Sequence, residues 1–72
     1  MDAEDLREAD WAIIDVLREG RNNAPNLADR TGYSKQYIRE RLQRLSAEGM
    51  LTNIGSGIYE LNADSVPDDD TG

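Results

Sequence analysis

Residues 34–49 read Ser34-Lys35-Gln36-Tyr37-Ile38-Arg39-Glu40-Arg41-Leu42-Gln43-Arg44-Leu45-Ser46-Ala47-Glu48-Gly49, a helix complete with its start and stop signals. Ser34 can accept a hydrogen bond from the first free backbone amides, and Gly49 can take the left-handed conformation that closes a last turn. Apolar residues recur at the i, i+4, i+7 spacing of one helix face, at Ile38, Leu42 and Leu45. The other face carries long hydrogen-bonding side chains, namely Gln36, Arg39, Glu40, Gln43 and Arg44.

The charge of the chain is distributed unevenly around this helix. The net charge is -7, but residues 34–48 carry four bases and two acids, a local charge of +2. Residues 1–20 carry seven acids and two arginines, and residues 64–72 carry four acids. A polyanionic partner would therefore meet most of the local positive charge at this helix, since phosphate contacts need basic side chains.

Composition excludes most catalytic and metal chemistry. The chain of 72 residues is one domain at most and has no cysteine and no histidine. Disulfides, thiolates, the usual general base and the commonest metal ligand are therefore absent. No pair of carboxylates sits in an evident pocket and no acidic spacing fits a calcium loop. We expect no enzymatic activity, no metal and no cofactor.

No apolar run approaches the roughly 20 residues that a membrane-spanning helix needs, and no signal-peptide pattern opens the chain. These features predict a cytoplasmic protein without a membrane partner.

The acidic side chains number fifteen, whereas Lys35 is the only lysine and arginine supplies the other seven bases. Such an Asp-rich, lysine-poor composition resembles that of proteins from salt-loving archaea, whose cytosol is concentrated in potassium salt. The alternatives are chance in a short chain and an acidic interaction tail.

Helical spacing predicts a first helix within residues 1–19, with Asp5 or Asp10 as its N-cap and Gly20 as its end. Its apolar face consists of Leu6, Ala9, Ile13, Val16 and Leu17. Trp11 and Ile14 lie about 100–160° around the axis from Ile13. Either Ile14 packs under a neighbouring element while Trp11 is half exposed, or the two residues form a dimer contact.

A connector, Arg21-Asn22-Asn23-Ala24, leads to a short second helix that begins at Pro25 and includes Leu27 and Ala28 as its inward residues. Asn23 is the candidate cap. Thr31-Gly32-Tyr33 then forms a tight turn into Ser34.

Two short strands follow the third helix, at residues 50–54 and 58–61, with Gly55-Ser56-Gly57 as a hairpin turn. Tyr59 and Leu61 share one face of the hairpin, and Leu51 joins them against the helices. The predicted organisation is an acidic, partly helical segment at 1–8, a folded domain at 9–62 and a disordered acidic tail at 63–72.

Three helices plus a two-stranded wing, mostly α with a small β-hairpin, is the layout of a winged helix-turn-helix. The small Ala28, the turn residue Gly32 and the branched Ile38 carry the resemblance, which spans residues 9–62. The chain looks most like the phage-repressor-like winged-helix regulators of halophilic archaea. The runs Ala9–Leu17 with Gly20, and Ala47–Leu51, also resemble that group.

This resemblance implies a sequence-specific regulator of transcription, repressor-like, that binds double-stranded DNA with helix 34–48 in the major groove. It implies a base-reading face at Lys35, Gln36, Tyr37, Arg39, Glu40 and Gln43. Arg39 suits guanine, and Gln36 or Gln43 suits adenine. Lys35, Arg44 and the amide end at Ser34 are expected to hold phosphates. Arg41 lies near the buried edge and is expected to pair with an acid of the first helix instead.

Two departures from the resemblance matter. The wing tip has no Arg or Lys, so we expect at most a backbone contact with DNA there. The chain also lacks the extra C-terminal helix through which many such proteins dimerise, so a homodimer must form through helix 1 or the sheet edge, or not at all. A winged-helix module that binds a protein and never DNA is the alternative function.

Overall fold

The computed structural model describes residues 3–67. Within them lie three α-helices, α1 (Glu8–Glu19), α2 (Ala24–Thr31) and α3 (Lys35–Ala47). Three strands, β1 (Asn22–Asn23), β2 (Leu51–Gly55) and β3 (Ile58–Leu61), form an antiparallel sheet in the order β1-β3-β2. Short 3₁₀ turns occupy Ala3–Asp5 and Ala63–Ser65. The predicted class, three helices with a small wing, is confirmed.

Both ends of α3 form as its sequence predicts. The Ser34 hydroxyl accepts a hydrogen bond from the backbone amide of Tyr37 at 3.1 Å. At the other end Gly49 has a φ of 83°, and the amides of Gly49 and Met50 donate to the carbonyls of Ser46 and Leu45. This pair of bonds is a Schellman motif, which satisfies carbonyls that the helix would otherwise leave free.

The start of α1 differs from the prediction. Neither Asp5 nor Asp10 is the N-cap; that position belongs to Arg7. Asp10 lies three residues further on and its carboxylate accepts the backbone amide of Arg7 at 2.8 Å. The carboxylate thus stabilises the helix start from inside the first turn, as the acidic residue of a capping box does.

The predicted connector contains a strand and a cap. Asn22 pairs with Tyr59 and Asn23 with Ile58, so β1 extends the two-stranded wing that the sequence indicated. The Asn23 side chain accepts the amide of Asn26 at 2.9 Å and caps α2, with Pro25 in the first turn. Asn23 therefore ends β1 and starts α2.

The core lies between the three helices and one face of the sheet. The predicted apolar positions of α1, α2 and α3 are all buried there, together with Met50 and Leu51. Ile14 is also fully buried, because α1 contacts α2, α3 and β3 on different sides. Ile14 is therefore not available for a dimer contact, and that part of the dimer prediction is wrong. Trp11 is half-buried against the core.

The wing turns tightly at residues 55–58. Ser56 and Gly57 have φ values of 55° and 74°, and Gly55 pairs with Ile58 across the turn. Positive φ at both central residues is the signature of a type I′ hairpin turn, whose twist matches the strands. The pairing is irregular between Asn53 and Gly55, and Ile54 between them is exposed.

The packed part of the chain extends past both predicted domain boundaries. Leu6 is buried in the core, and Val66 packs against it after the turn at Ala63–Ser65. Residues on both sides of the predicted domain at 9–62 therefore contribute to the packing of the core. The disorder expected for the rest of the tail falls on residues 68–72, which lie outside the described residues.

Candidate nucleic-acid interface

The exposed surface of α3 carries the predicted binding residues. Seven of them are exposed to solvent: Ser34, Lys35, Gln36, Arg39, Glu40, Gln43 and Arg44. The eighth, Tyr37, is half-buried and its ring lies 5.5 Å from that of Tyr33, centroid to centroid. The structure thus presents the set on one helix, with Tyr37 at the edge of the face.

A buried ion pair fixes α3 relative to α1. The guanidinium of Arg41 donates two hydrogen bonds of 2.7 Å to the carboxylate of Asp10. Asp10 is fully buried and the Arg41 side chain is 12% exposed. The hydrogen bonds from Arg41 to Asp10 raise the pKa of the Arg41 guanidinium above its usual value, so it stays charged. The prediction that Arg41 pairs with an acid of the first helix is confirmed.

The remaining cations divide into two groups. Arg18, Arg21 and Arg30 form ion pairs with Asp15, Glu60 and Glu19. By contrast, no carboxylate of residues 3–67 lies within ion-pairing distance of Lys35, Arg39 or Arg44. The positive charge that this acidic chain leaves uncompensated is therefore concentrated on the exposed face of α3, with Arg7 as the one addition among the described residues.

A cleft of about 390 Å³ separates α3 from the wing. Arg39 and Gln43 form its α3 wall, and Ser56, Gly57 and Tyr59 form its wing wall. The start of α2 closes the end, through Asn23, Ala24 and Pro25. The sequence predicts at most a backbone contact at the wing tip and does not indicate Tyr59 or the α2 residues, since their proximity to α3 depends on tertiary packing.

Helix geometry orders the exposed residues around the axis of α3. The buried stripe is Ile38, Leu42 and Leu45, and at 100° per residue the direction opposite to it passes through Gln36 and Glu40. Arg39 and Gln43 lie on the flank towards the wing. Arg44 lies about 140° from Arg39, on the other flank. A partner that approaches α3 head-on meets Gln36 and Glu40 first and the cations at the sides.

Residues 6–52, more than half of the chain, match the profile of the winged helix-turn-helix DNA-binding family. The protein belongs to the winged helix-turn-helix DNA-binding family. Comparisons with curated proteins and with solved structures gave no match.

For this winged helix-turn-helix protein, the matched range covers all three helices and the start of β2. The rest of the wing, β3 and the turn before it, is established by the structure. None of the helices within residues 3–67 is long and apolar enough to cross a membrane. That part of the chain also holds no cluster of side chains suited to a metal ion.

Proposed function

We propose that this winged helix-turn-helix protein is a sequence-specific regulator of transcription that inserts α3 into the major groove of double-stranded DNA. The observation that carries the proposal is a set of three cations on α3, Lys35, Arg39 and Arg44, that form no ion pair with any carboxylate of residues 3–67. The other described arginines, apart from Arg7, are ion-paired. Phosphate binding requires such free positive charge. A role as repressor follows if the bound domain blocks its site to other proteins.

The side chains of α3 divide between reading and positioning. Gln36, Glu40, Arg39 and Gln43 contact base edges, since they present the donors and acceptors that distinguish base pairs in the major groove. The exposed part of the Tyr37 side chain also contacts the base edges. Lys35, Arg44 and the helix start at Ser34 hold phosphates and set the register of the helix.

A homodimer through α1 is part of this proposal and depends on Trp11, because Ile14 is inside the core of the protomer. A large, half-buried aromatic side chain suits an interface. A dimer adds a second α3, which offsets the small number of cations that one protomer offers to DNA. The sheet edge at β2 is the other surface through which two copies can meet.

The cellular setting proposed here is the cytoplasm of a halophilic archaeon, where the protein has access to DNA in concentrated potassium salt. The support is compositional, fifteen acids against one lysine. The likeness to the phage-repressor-like regulators of that group is proposed on the same basis and on the runs Ala9–Leu17 and Ala47–Leu51.

In vitro selection of duplexes from a random pool, performed in concentrated potassium chloride, tests the function. We expect one enriched sequence motif. A dimer should select two half-sites about 10 base pairs apart, and a monomer one short site. Light scattering on the wild type and on Trp11→Ala tests the dimer contact: a dimer that persists in the variant assigns the contact to the sheet edge. Failure of any duplex to bind across a wide range of salt would favour a protein-binding module instead.

A further inference from the structure

A second cleft opens on the flank of α3 that faces away from the wing. It lies between the N-terminal part of the chain and the C-terminal half of α3, and it encloses about 340 Å³. Its lining residues are Asp5, Arg7, Arg41, Arg44 and Glu48. Three guanidinium groups from two parts of the chain therefore meet around one space.

These three arginines are not equivalent. Arg41 has its hydrogen bonds committed to the buried carboxylate of Asp10. Arg7 and Arg44 are exposed, and neither forms an ion pair with a carboxylate of residues 3–67. Within residues 3–67, therefore, no carboxylate occupies their donors. The planar fork of a guanidinium matches a phosphate in geometry and charge, and two such forks on one cleft define an anion site.

The acids of the cleft limit what it can hold. Asp5 and Glu48 line the same space, and each already takes part in an interaction of its own. Two nearby carboxylates weaken the attraction for a small free anion. A phosphate that is part of a duplex is held in place by the other contacts of α3, so its local concentration is high and a modest attraction suffices.

We propose that Arg7 and Arg44 together bind a backbone phosphate on one wall of the major groove. This inference depends on the proposed function. The groove is about 12 Å wide, so a helix inside it has a phosphate backbone on each side. Arg39 and the wing face one wall, and the cleft of Arg7 and Arg44 faces the other. Arg7 is thus a positioning contact that carries no sequence information. It lies in the N-terminal segment, far along the chain from α3.

The test is the salt dependence of duplex binding, measured over a series of potassium chloride concentrations. Arg7→Gln and Arg44→Gln should each lower the slope of log K against log salt by about 0.9, the value for one lost phosphate contact. Both should weaken binding equally across duplex sequences. Arg7→Lys should keep the slope, because it keeps the charge. The backbone amide of Arg7, which bonds to Asp10, is unaffected by these changes.

Arg18→Gln is the matched control, because Arg18 is an exposed arginine of α1 that pairs only with the neighbouring Asp15. It removes the same charge from the helix that Arg7 precedes and should leave the slope unchanged. If Arg7→Gln behaves like Arg18→Gln while the wild type binds DNA, this proposal is overturned and the proposed function stands. If the wild type binds no duplex, both are overturned. Displacement of the duplex by millimolar inorganic phosphate, with no effect of ionic strength, would show a site for the free anion and also overturn it.

Discussion

Asp10 and Arg41 form the hydrogen-bonded contact that holds α3 against α1. One carboxylate, fully buried, accepts the amide that starts α1 and both hydrogen bonds from the guanidinium on α3. A buried charge that loses its partner is strongly destabilising, because nothing replaces the water that it gave up. The intact pair itself adds little net stability, because the cost of removing both charges from water offsets their attraction. Its main contribution is to fix the position of α3 relative to α1.

Arg41→Ala is expected to lower the free energy of unfolding by about 3–5 kcal/mol, since it leaves the Asp10 carboxylate buried and unpaired. A domain of this size has a margin of about the same magnitude, so the variant should be largely unfolded. Urea titration followed by circular dichroism measures the loss. Arg44→Ala, three positions further on and exposed, should change stability by less than about 0.5 kcal/mol. Equal effects of the two substitutions would exclude a structural role for the pair.

Arg39 is expected to contribute to specificity as well as to affinity. It projects from the flank of α3 into the cleft shared with the wing, where a bidentate contact with a guanine can form. Arg39→Ala should weaken binding to the preferred site by about 1–3 kcal/mol and relax the preference at one position of that site. Selection of duplexes with the variant measures both. An unchanged preference would remove Arg39 from the base-reading set.

Among the elements, α3 was the most predictable from sequence and the wing the least. Ser34 and Gly49 act locally, within a few residues of the amides and carbonyls that they satisfy, so the ends of α3 follow from the chain itself. Strand β1 consists of two asparagines, residues of low strand propensity, and exists because Tyr59 and Ile58 pair with it. Ile14 was ambiguous for a similar reason: burial on a second face of α1 depends on three neighbouring elements.

The residues of the candidate site also divide into those that the sequence predicts and those that only tertiary packing brings together. Helix periodicity placed its α3 residues on an exposed face, where the structure has them. The contribution of Tyr59 and Asn23 to the wing cleft, and of Arg7 to the second cleft, comes from residues far apart in the chain. Arg41 is an intermediate case, since its position beside the buried stripe indicated a partner on the first helix but not which acid.

The tip of the wing lies beside Arg39 of α3 but carries no cation of its own. Its tip lines a cleft with Arg39, yet offers only Ser56 and Gly57. Ser56→Lys should therefore strengthen duplex binding and make the slope of log K against log salt steeper by about 0.9. Ser65→Lys adds the same charge at an exposed serine outside the cleft and should leave the slope as it is. If Ser56→Lys and Ser65→Lys change the slope equally, the wing does not approach the duplex.

At the scale of the whole molecule, the net negative charge is the property that we expect to make stability depend on salt. A net charge of -7 is carried on a molecule whose radius of gyration is 11.1 Å. The screening length is about 10 Å at 0.1 M salt and about 3 Å at 1 M. Exposed acidic groups within about 10 Å of each other therefore repel in 0.1 M salt, and at 1 M salt this repulsion is largely screened.

The free energy of unfolding is accordingly expected to rise with the concentration of potassium chloride. The midpoint of urea unfolding should be higher in 2 M than in 0.1 M potassium chloride. The combined change Glu4→Gln, Glu8→Gln and Asp64→Asn removes three exposed charges and should raise the midpoint in dilute salt and shrink the salt effect. An equal salt effect in both proteins would assign it to general salting-out of apolar surface. DNA affinity should change in the opposite direction, because salt weakens phosphate contacts.

We propose that duplex DNA is bound by the α3 cations that form no ion pair within residues 3–67, and a comparison of two triple variants tests this claim most directly. One variant replaces Lys35, Arg39 and Arg44 with glutamine; the other replaces Arg18, Arg21 and Arg30, which are exposed and ion-paired away from that face. Both carry the same net charge, and circular dichroism verifies that both are folded. Titration of the selected duplex should show binding abolished in the first variant and retained in the second. Equal loss of affinity in the two variants would contradict the claim, because net charge alone would then account for binding.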